Sequence, residues 1–133
     1  MNDVFADTSY YVALLGERDQ HHAKAVDLAR VCDGQTITTD FVLMEVGNWL
    51  SQTADRSLFL KLLDRLGADP QTTVIPATRD LFEAGCSLFA RRMDKGWSLT
   101  DCVSFTVMQR QGLEEALTAD HHFEQAGFAV LLK

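Results

Sequence analysis

Asp7, Glu45, Asp101 and Asp120 are the residues of this 133-residue chain whose type and setting point to chemistry. Glu45 is the only charged residue in FVLMEVGNWL (41–50), and Asp101 the only one in WSLTDCVSFTVM (97–108). A lone carboxylate in an apolar segment is expensive to bury unless a cation or hydrogen-bond donors compensate it. Asp7 directly follows DVFA, and Asp120 follows EALTA, so both stand where a β-type run gives way to a helical one. Each acid also has an ordinary structural reading. Asp7 and Asp120 suit helix N-caps, Ser98-x-x-Asp101 has nearly the form of a capping box, and Glu45 suits a salt bridge to a basic side chain elsewhere. Taken together they suggest more, because carboxylates gathered in a low-dielectric pocket repel one another and resist full ionisation. A hard divalent cation, Mg²⁺ or Mn²⁺, removes that conflict and keeps waters that leave room for a phosphate. It also polarises a phosphoryl oxygen and acidifies a bound water, so the chemistry expected of the set is hydrolytic attack at phosphorus.

Such a set works only if the fold delivers it to one place. The chain alternates β-type with helical runs, which predicts an α/β domain with a mostly parallel sheet. The expected strands are DVFA, QTITT, TTVIP, EALTA and AVLLK. Between them lie helical segments: TSYYVALLGE, HHAKAVDLARVCDG, FVLMEVGNWLSQTA, DRSLFLKLLDRLG, TRDLFEAGCSLFARRMDKG, LTDCVSFTVMQRQG and a short DHHFEQAG. In the second, Ala23, Val26, Leu28, Ala29 and Cys32 make the apolar face and Gly34 is the expected stop. The third reads as apolar nearly all round, and the helical spacing of Phe41, Met44 and Trp49 among aliphatic residues favours the core over base-stacking platforms. Parallel strands with helical crossovers place ligands at the carboxyl ends of the strands. Asp7 and Asp120 follow strands, while Glu45 and Asp101 fall in the first turns of helices that start from that same edge.

Composition narrows the class. With 47% hydrophobic and 23% charged residues, the chain suits one compact domain spanning 1–133. Cys32, Cys86 and Cys102 cannot all pair and lack metal-ligand spacing, which points to a reducing, cytoplasmic setting without structural zinc. The start carries acids where a signal peptide has a basic region, and no apolar run is long enough for a membrane span. The net charge of −7 argues against broad phosphate neutralisation, so any nucleic acid must be gripped locally.

The segments FADTSYYVALL, TTDFVLMEVGNWL, SLTDCVSFTVM and ALTADHHFEQAGF together resemble the PIN-domain ribonucleases, and among them the VapC-like toxins of prokaryotic toxin–antitoxin pairs. The resemblance runs from Asp3 to the end of the chain, and its two C-terminal motifs, T-D-C-x-S-F and L-T-x-D-x-x-F, are specific in combination. It implies a three-layer α/β/α sandwich around a five-stranded parallel sheet. It also implies metal-dependent endonucleolytic cleavage of RNA, with Asp7, Glu45, Asp101 and Asp120 binding one or two Mg²⁺ or Mn²⁺ ions. Homodimers and an inhibiting antitoxin, whose basic or amphipathic tail reaches the active site, are the partners it implies.

Several residues are candidates for support. Thr8 and Ser9 could donate hydrogen bonds to ligand carboxylates or to the scissile phosphate, or simply build the first helical turn. Asn48 could orient Glu45, and Thr100 could orient Asp101 or serve the helix cap. Arg91, Arg92 and Lys95 are the densest basic cluster, suited either to RNA phosphates or to a solvated helix face. The pairs His21-His22 and His121-His122 lack the spacing of a helical zinc site and are not expected as metal ligands, although the second pair adjoins Asp120, where it could touch substrate. The surplus of Leu, Phe and Trp between Phe41 and Leu66 suggests a subunit contact. Three other readings remain: an RNA-processing nuclease that is not a toxin, a non-catalytic RNA-binding module, and a phosphoacceptor signalling domain. The last requires a lysine returning to the site after the final strand and an Asp after the third. Here Lys133 ends the chain and the third strand runs into VIPAT.

Overall fold

The computed structural model describes residues 2–133. Five short strands, β1 (Val4–Ala6), β2 (Thr36–Thr39), β3 (Thr72–Ile75), β4 (Glu115–Leu117) and β5 (Ala129–Val130), form one all-parallel sheet in the order β3-β2-β1-β4-β5. Parallel neighbours need crossovers, and helices supply every one. Helices α1 (Thr8–Leu15) and α2 (His22–Val31) join β1 to β2, and α3 (Asp40–Trp49) and α4 (Arg56–Ala68) join β2 to β3. The return to β4 uses α5 (Arg79–Arg91) and α6 (Leu99–Gln111), and α7 (His121–Gln125) leads to β5. Right-handed crossovers that run in opposite directions across a sheet fall on opposite faces, which gives three layers, α/β/α. The direction of growth reverses between β1 and β4, so their carboxyl ends flank a topological switch point. Asp7 leaves one of these strands and Asp120 follows the other.

Both faces of the central strand are covered, and Val4, Phe5 and Ala6 are all buried. Helix α6 is buried over most of its length, from Asp101 through Phe105 to Met108, with α5 packed against it. Gly85 of α5 makes that approach possible: a Cβ there would lie 2.4 Å from Val103 Cγ2. Phe105 meets Trp97 and Phe123 edge-on, each with centroids 4.9 Å apart. The fully buried Phe123 thereby anchors α7 and fixes where Asp120 sits.

Some boundaries and faces differ from expectation. Helix α2 ends at Val31, not at Gly34, and only Ala25 is fully buried on it, while Ala23 and Ala29 face solvent. Gly34 serves a different need, since a Cβ there would stand 2.8 Å from the Asn2 carbonyl oxygen. Helix α3 stops at Trp49, where Ser51, Gln52 and Thr53 offer no apolar side chain to continue it. Its apolar surface is not all core: Met44 and Trp49 are 68% and 69% exposed, and Phe41 is half-buried against the core. The last strand is limited to Ala129–Val130. Among the described residues no helix is long and apolar enough to cross a membrane, and the three cysteines are free.

Candidate active site

The switch point opens into a cleft of about 430 Å³ whose walls include Asp7, Thr8, Glu45, Asp101, Asp120 and His122. All four acids singled out from the sequence therefore line one cavity. Asp7 occupies the N-cap position of α1, yet its carboxylate makes no capping hydrogen bond. It accepts instead from Thr118 Oγ1 at 2.9 Å. Burial pushes its pKa up from 3.8 to about 7, and the charges of Asp101 and Asp120 push the same way against the Thr8 amide and the Thr118 hydroxyl.

Thr118 is the hub of this side of the cleft. Its single hydroxyl proton goes to Asp7, so its oxygen accepts from Ser9 Oγ at 3.0 Å and from the Asp120 amide at 3.1 Å. Ser9 Oγ in turn accepts from the Ala119 amide. The network ties the start of α1 to the segment after β4, so Asp7 and Asp120 cannot drift independently. Across the cleft, Glu45 Oε1 accepts from Thr8 Oγ1 at 2.6 Å. Thr8, rather than Asn48, orients Glu45; Asn48 is exposed and lies off the cleft wall.

Asp101 does take part in the expected capping box, receiving the Ser98 amide at 3.1 Å while Ser98 Oγ receives the Asp101 amide at 3.0 Å. Ser98, not Thr100, is thus the polar partner at this helix start. Burial raises the Asp101 pKa, with the Asp120 charge adding to the shift and the Ser98 amide and His122 opposing it. Asp120 caps α7 through the His122 amide at 2.9 Å. The His122 ring lies between the two acids, with Nδ1 3.1 Å from Asp101 Oδ2 and 3.3 Å from Asp120 Oδ1. Nδ1 thus stands within hydrogen-bond reach of one oxygen of each acid. Asp120, His121 and His122 also hold potential ligand atoms within 4.8 Å of one another.

Charge balance separates this cluster from a structural ion-pair network. Among the described residues, no Lys or Arg lies within ion-pair distance of Asp7, Glu45, Asp101 or Asp120. The basic cluster sits next door rather than inside. Arg92 and Lys95 border a separate cavity of about 320 Å³ that shares Gly96 with the acidic cleft. Arg92 is held by Asp94 at 3.0 and 3.1 Å and lies over the Trp97 ring at 4.9 Å, whereas Arg91 is exposed at the end of α5. A phosphoacceptor geometry is absent as well: β3 lies at the sheet edge and runs into Pro76, away from the acids.

Sequence reading missed Thr118 and gave His122 no place between the acids. The motif L-T-x-D carried the first as a family match only, and the second had no signal beyond adjacency to Asp120. Asp19, His21 and Trp49 complete the cleft wall without having been expected there.

A parallel sheet with an acid-lined cleft at its switch point is the architecture of an α/β domain of the PIN type, and the chain belongs to the PIN domain family, which it matches over residues 4–129. Among curated proteins it is similar to the 23S rRNA-specific endonuclease VapC20 of Mycobacterium tuberculosis, with 29% identity over 126 residues, 94% of this chain and 95% of that protein. The crystal structure of M. tuberculosis VapC20, described as a sarcin-ricin loop cleaving toxin, superposes with a TM-score of 0.86 at 26% identity, covering 95% of this chain and 96% of that one. The structure of VapBC2 from Rickettsia felis bound to a promoter DNA fragment shares the fold, with a TM-score of 0.66 at 13% identity over 98% of this chain and 97% of its own.

Proposed function

We propose that this protein is a metal-dependent endoribonuclease and the toxin of a VapBC-type toxin–antitoxin pair. The observation that carries the reading is Asp7: a buried carboxylate that neither caps its helix nor meets a basic side chain, in a cleft with four more acids, Asp19, Glu45, Asp101 and Asp120. An all-oxygen donor set of this kind suits Mg²⁺ or Mn²⁺, with Asp7, Glu45, Asp101 and Asp120 as the residues that hold it. When bound, such an ion supplies Lewis-acid activation of the phosphoryl group and of the attacking water. The chain's own contribution is orientation. Thr118 fixes the Asp7 carboxylate, Thr8 fixes Glu45, and Ser98 with His122 fixes Asp101. The His122 ring, placed between Asp101 and Asp120, separates the two carboxylates. The similarity to VapC20 supports RNA as the substrate.

An apolar groove of about 610 Å³ between α1, α2 and α4, lined by Tyr10, Leu14, Val26, Leu62 and Leu66 with Lys61 and Arg65 at its rim, supports docking of an amphipathic antitoxin segment. Met44, Leu60 and Leu63, exposed on α3 and α4, support a homodimer contact.

Purified protein freed of antitoxin is expected to cut single-stranded or structured RNA in Mg²⁺ or Mn²⁺ and to stop on addition of a chelator. Asp101→Asn should be inactive in the same assay; cleavage equal to wild type in the variant, or undiminished by chelation, overturns the reading. Thr8→Val keeps the shape of the side chain but releases Glu45. It is expected to lose about 10- to 100-fold in metal affinity, the effect typical of removing a hydrogen bond to a ligand. Asn48→Ala should change little in the same metal titration, and a reversal of that order would assign the orienting role to Asn48.

A further inference from the structure

Trp49 leaves 69% of its surface in solvent at the mouth of the acidic cleft, although it ends a helix whose Val42, Leu43 and Val46 are buried. It lies one turn beyond Glu45, so the two share a helix face, and both line the cleft. The protein's other tryptophan is treated differently: Trp97 is buried, edge-on to Phe105, with Nε1 donating to Gln125 at 3.0 Å. A polyanion finds little else to hold here. No Lys or Arg lines the cleft, the nearby Arg92 is tied to Asp94, and the whole chain carries −7.

Binding by phosphate neutralisation scales with the number of basic contacts, and at this site that source is missing. Stacking on an aromatic ring is the other general way to hold a nucleic acid strand, and it serves any base because every base has a π-face. A cleft of about 430 Å³ admits a splayed nucleotide rather than a duplex, whose bases stay stacked inside an A-form helix.

We propose that Trp49 is the platform on which an unpaired nucleobase stacks beside the scissile phosphate, so that the strand is held at this site by stacking instead of by a basic groove. The inference rests on the nuclease reading above and adds to it how the substrate is gripped. Trp49 is a positioning residue, and its loss should act on binding more than on turnover.

The test uses the full chain. With Asp101→Asn to prevent turnover, a mixed-sequence single-stranded oligoribonucleotide should quench the Trp49 fluorescence, and the same oligonucleotide in a duplex should not. The signal is assigned by its absence in Trp49→Phe. Trp49→Ala should weaken binding about 5- to 100-fold, as for loss of one base stack, while Trp49→Phe retains most of the affinity. In the cleavage-competent protein the same loss should appear in KM with kcat nearly unchanged. The salt dependence of binding should be shallow, with a slope in log K against log salt no steeper than about −2. Unchanged affinity and KM in Trp49→Ala overturn the proposal. So does a Trp49→Ala chain that changes from dimer to monomer in sedimentation while RNA affinity holds, since Trp49 would then belong to a protein interface. If wild type cleaves no RNA at all, the nuclease reading fails, and the quenching titration still decides the platform.

Discussion

Asp7→Asn is expected to reduce RNA cleavage by more than about 100-fold, beyond what the loss of a supporting hydrogen bond to a ligand gives, and at the same time to stabilise the protein in chelator. Both effects come from one feature, a carboxylate buried for a purpose other than folding. The amide is nearly isosteric and its Oδ1 can still accept from Thr118, so packing is retained. What disappears is the buried charge. In the folded protein Asp7 titrates at about 7, against 3.8 ordinarily. Below 3.8 the carboxyl is protonated in both the folded and the unfolded chain and nothing is lost. Between 3.8 and about 7 the unfolded chain gives up its proton while the folded chain keeps it, so stability falls as pH rises through that window. Above it the deficit is complete, on the order of 2–4 kcal/mol. Thermal melts of wild type in chelator should therefore fall from pH about 4 to about 8 more steeply than those of Asp7→Asn. Parallel curves for the two proteins would show that Asp7 is not the strained group.

Divalent ions should reverse that deficit. An ion that binds the folded chain at a hundredfold excess over its Kd adds about 2.7 kcal/mol, which for a domain of this size raises Tm by roughly 10 °C. The gain should be large near pH about 8 and shrink toward pH about 5.5, because protons compete for the same oxygens once the raised pKa values of Asp7 and Asp101 are crossed. Differential scanning calorimetry with and without Mg²⁺ or Mn²⁺ at the two pH values measures it. A Tm shift independent of pH, or none at either, would place ion binding away from these acids.

The function of an acid in this chain is visible from its company more than from its position. Asp120 does cap α7 and Asp101 does complete a capping box, so the ordinary readings of both are true as geometry. They leave open why the same carboxylates face a common cleft with Asp7 and Glu45, with His122 between two of them and, among the described residues, no Lys or Arg at ion-pair distance. A helix cap needs one acceptor at a helix start; it does not need its neighbours to be acids as well.

The order of strands and helices, the parallel sheet and the four acids that meet in one cleft were legible in the amino-acid sequence. Those depend on periodicities and breaks within a few residues, and on two lone charges in otherwise apolar runs. Tertiary structure alone decided the rest. The hydrogen-bond chain from Ser9 through Thr118 to Asp7 joins residues 109 and 111 positions apart, which no local pattern encodes. The exposure of Met44 and Trp49 was equally hidden, since an apolar helix does not reveal which of its faces a neighbour will cover. Periodicity reports that a side chain is apolar. Whether it meets the core or a ligand depends on where the sheet reverses and what packs beside it, and beside the β1–β4 switch point the described residues leave most of Trp49 uncovered.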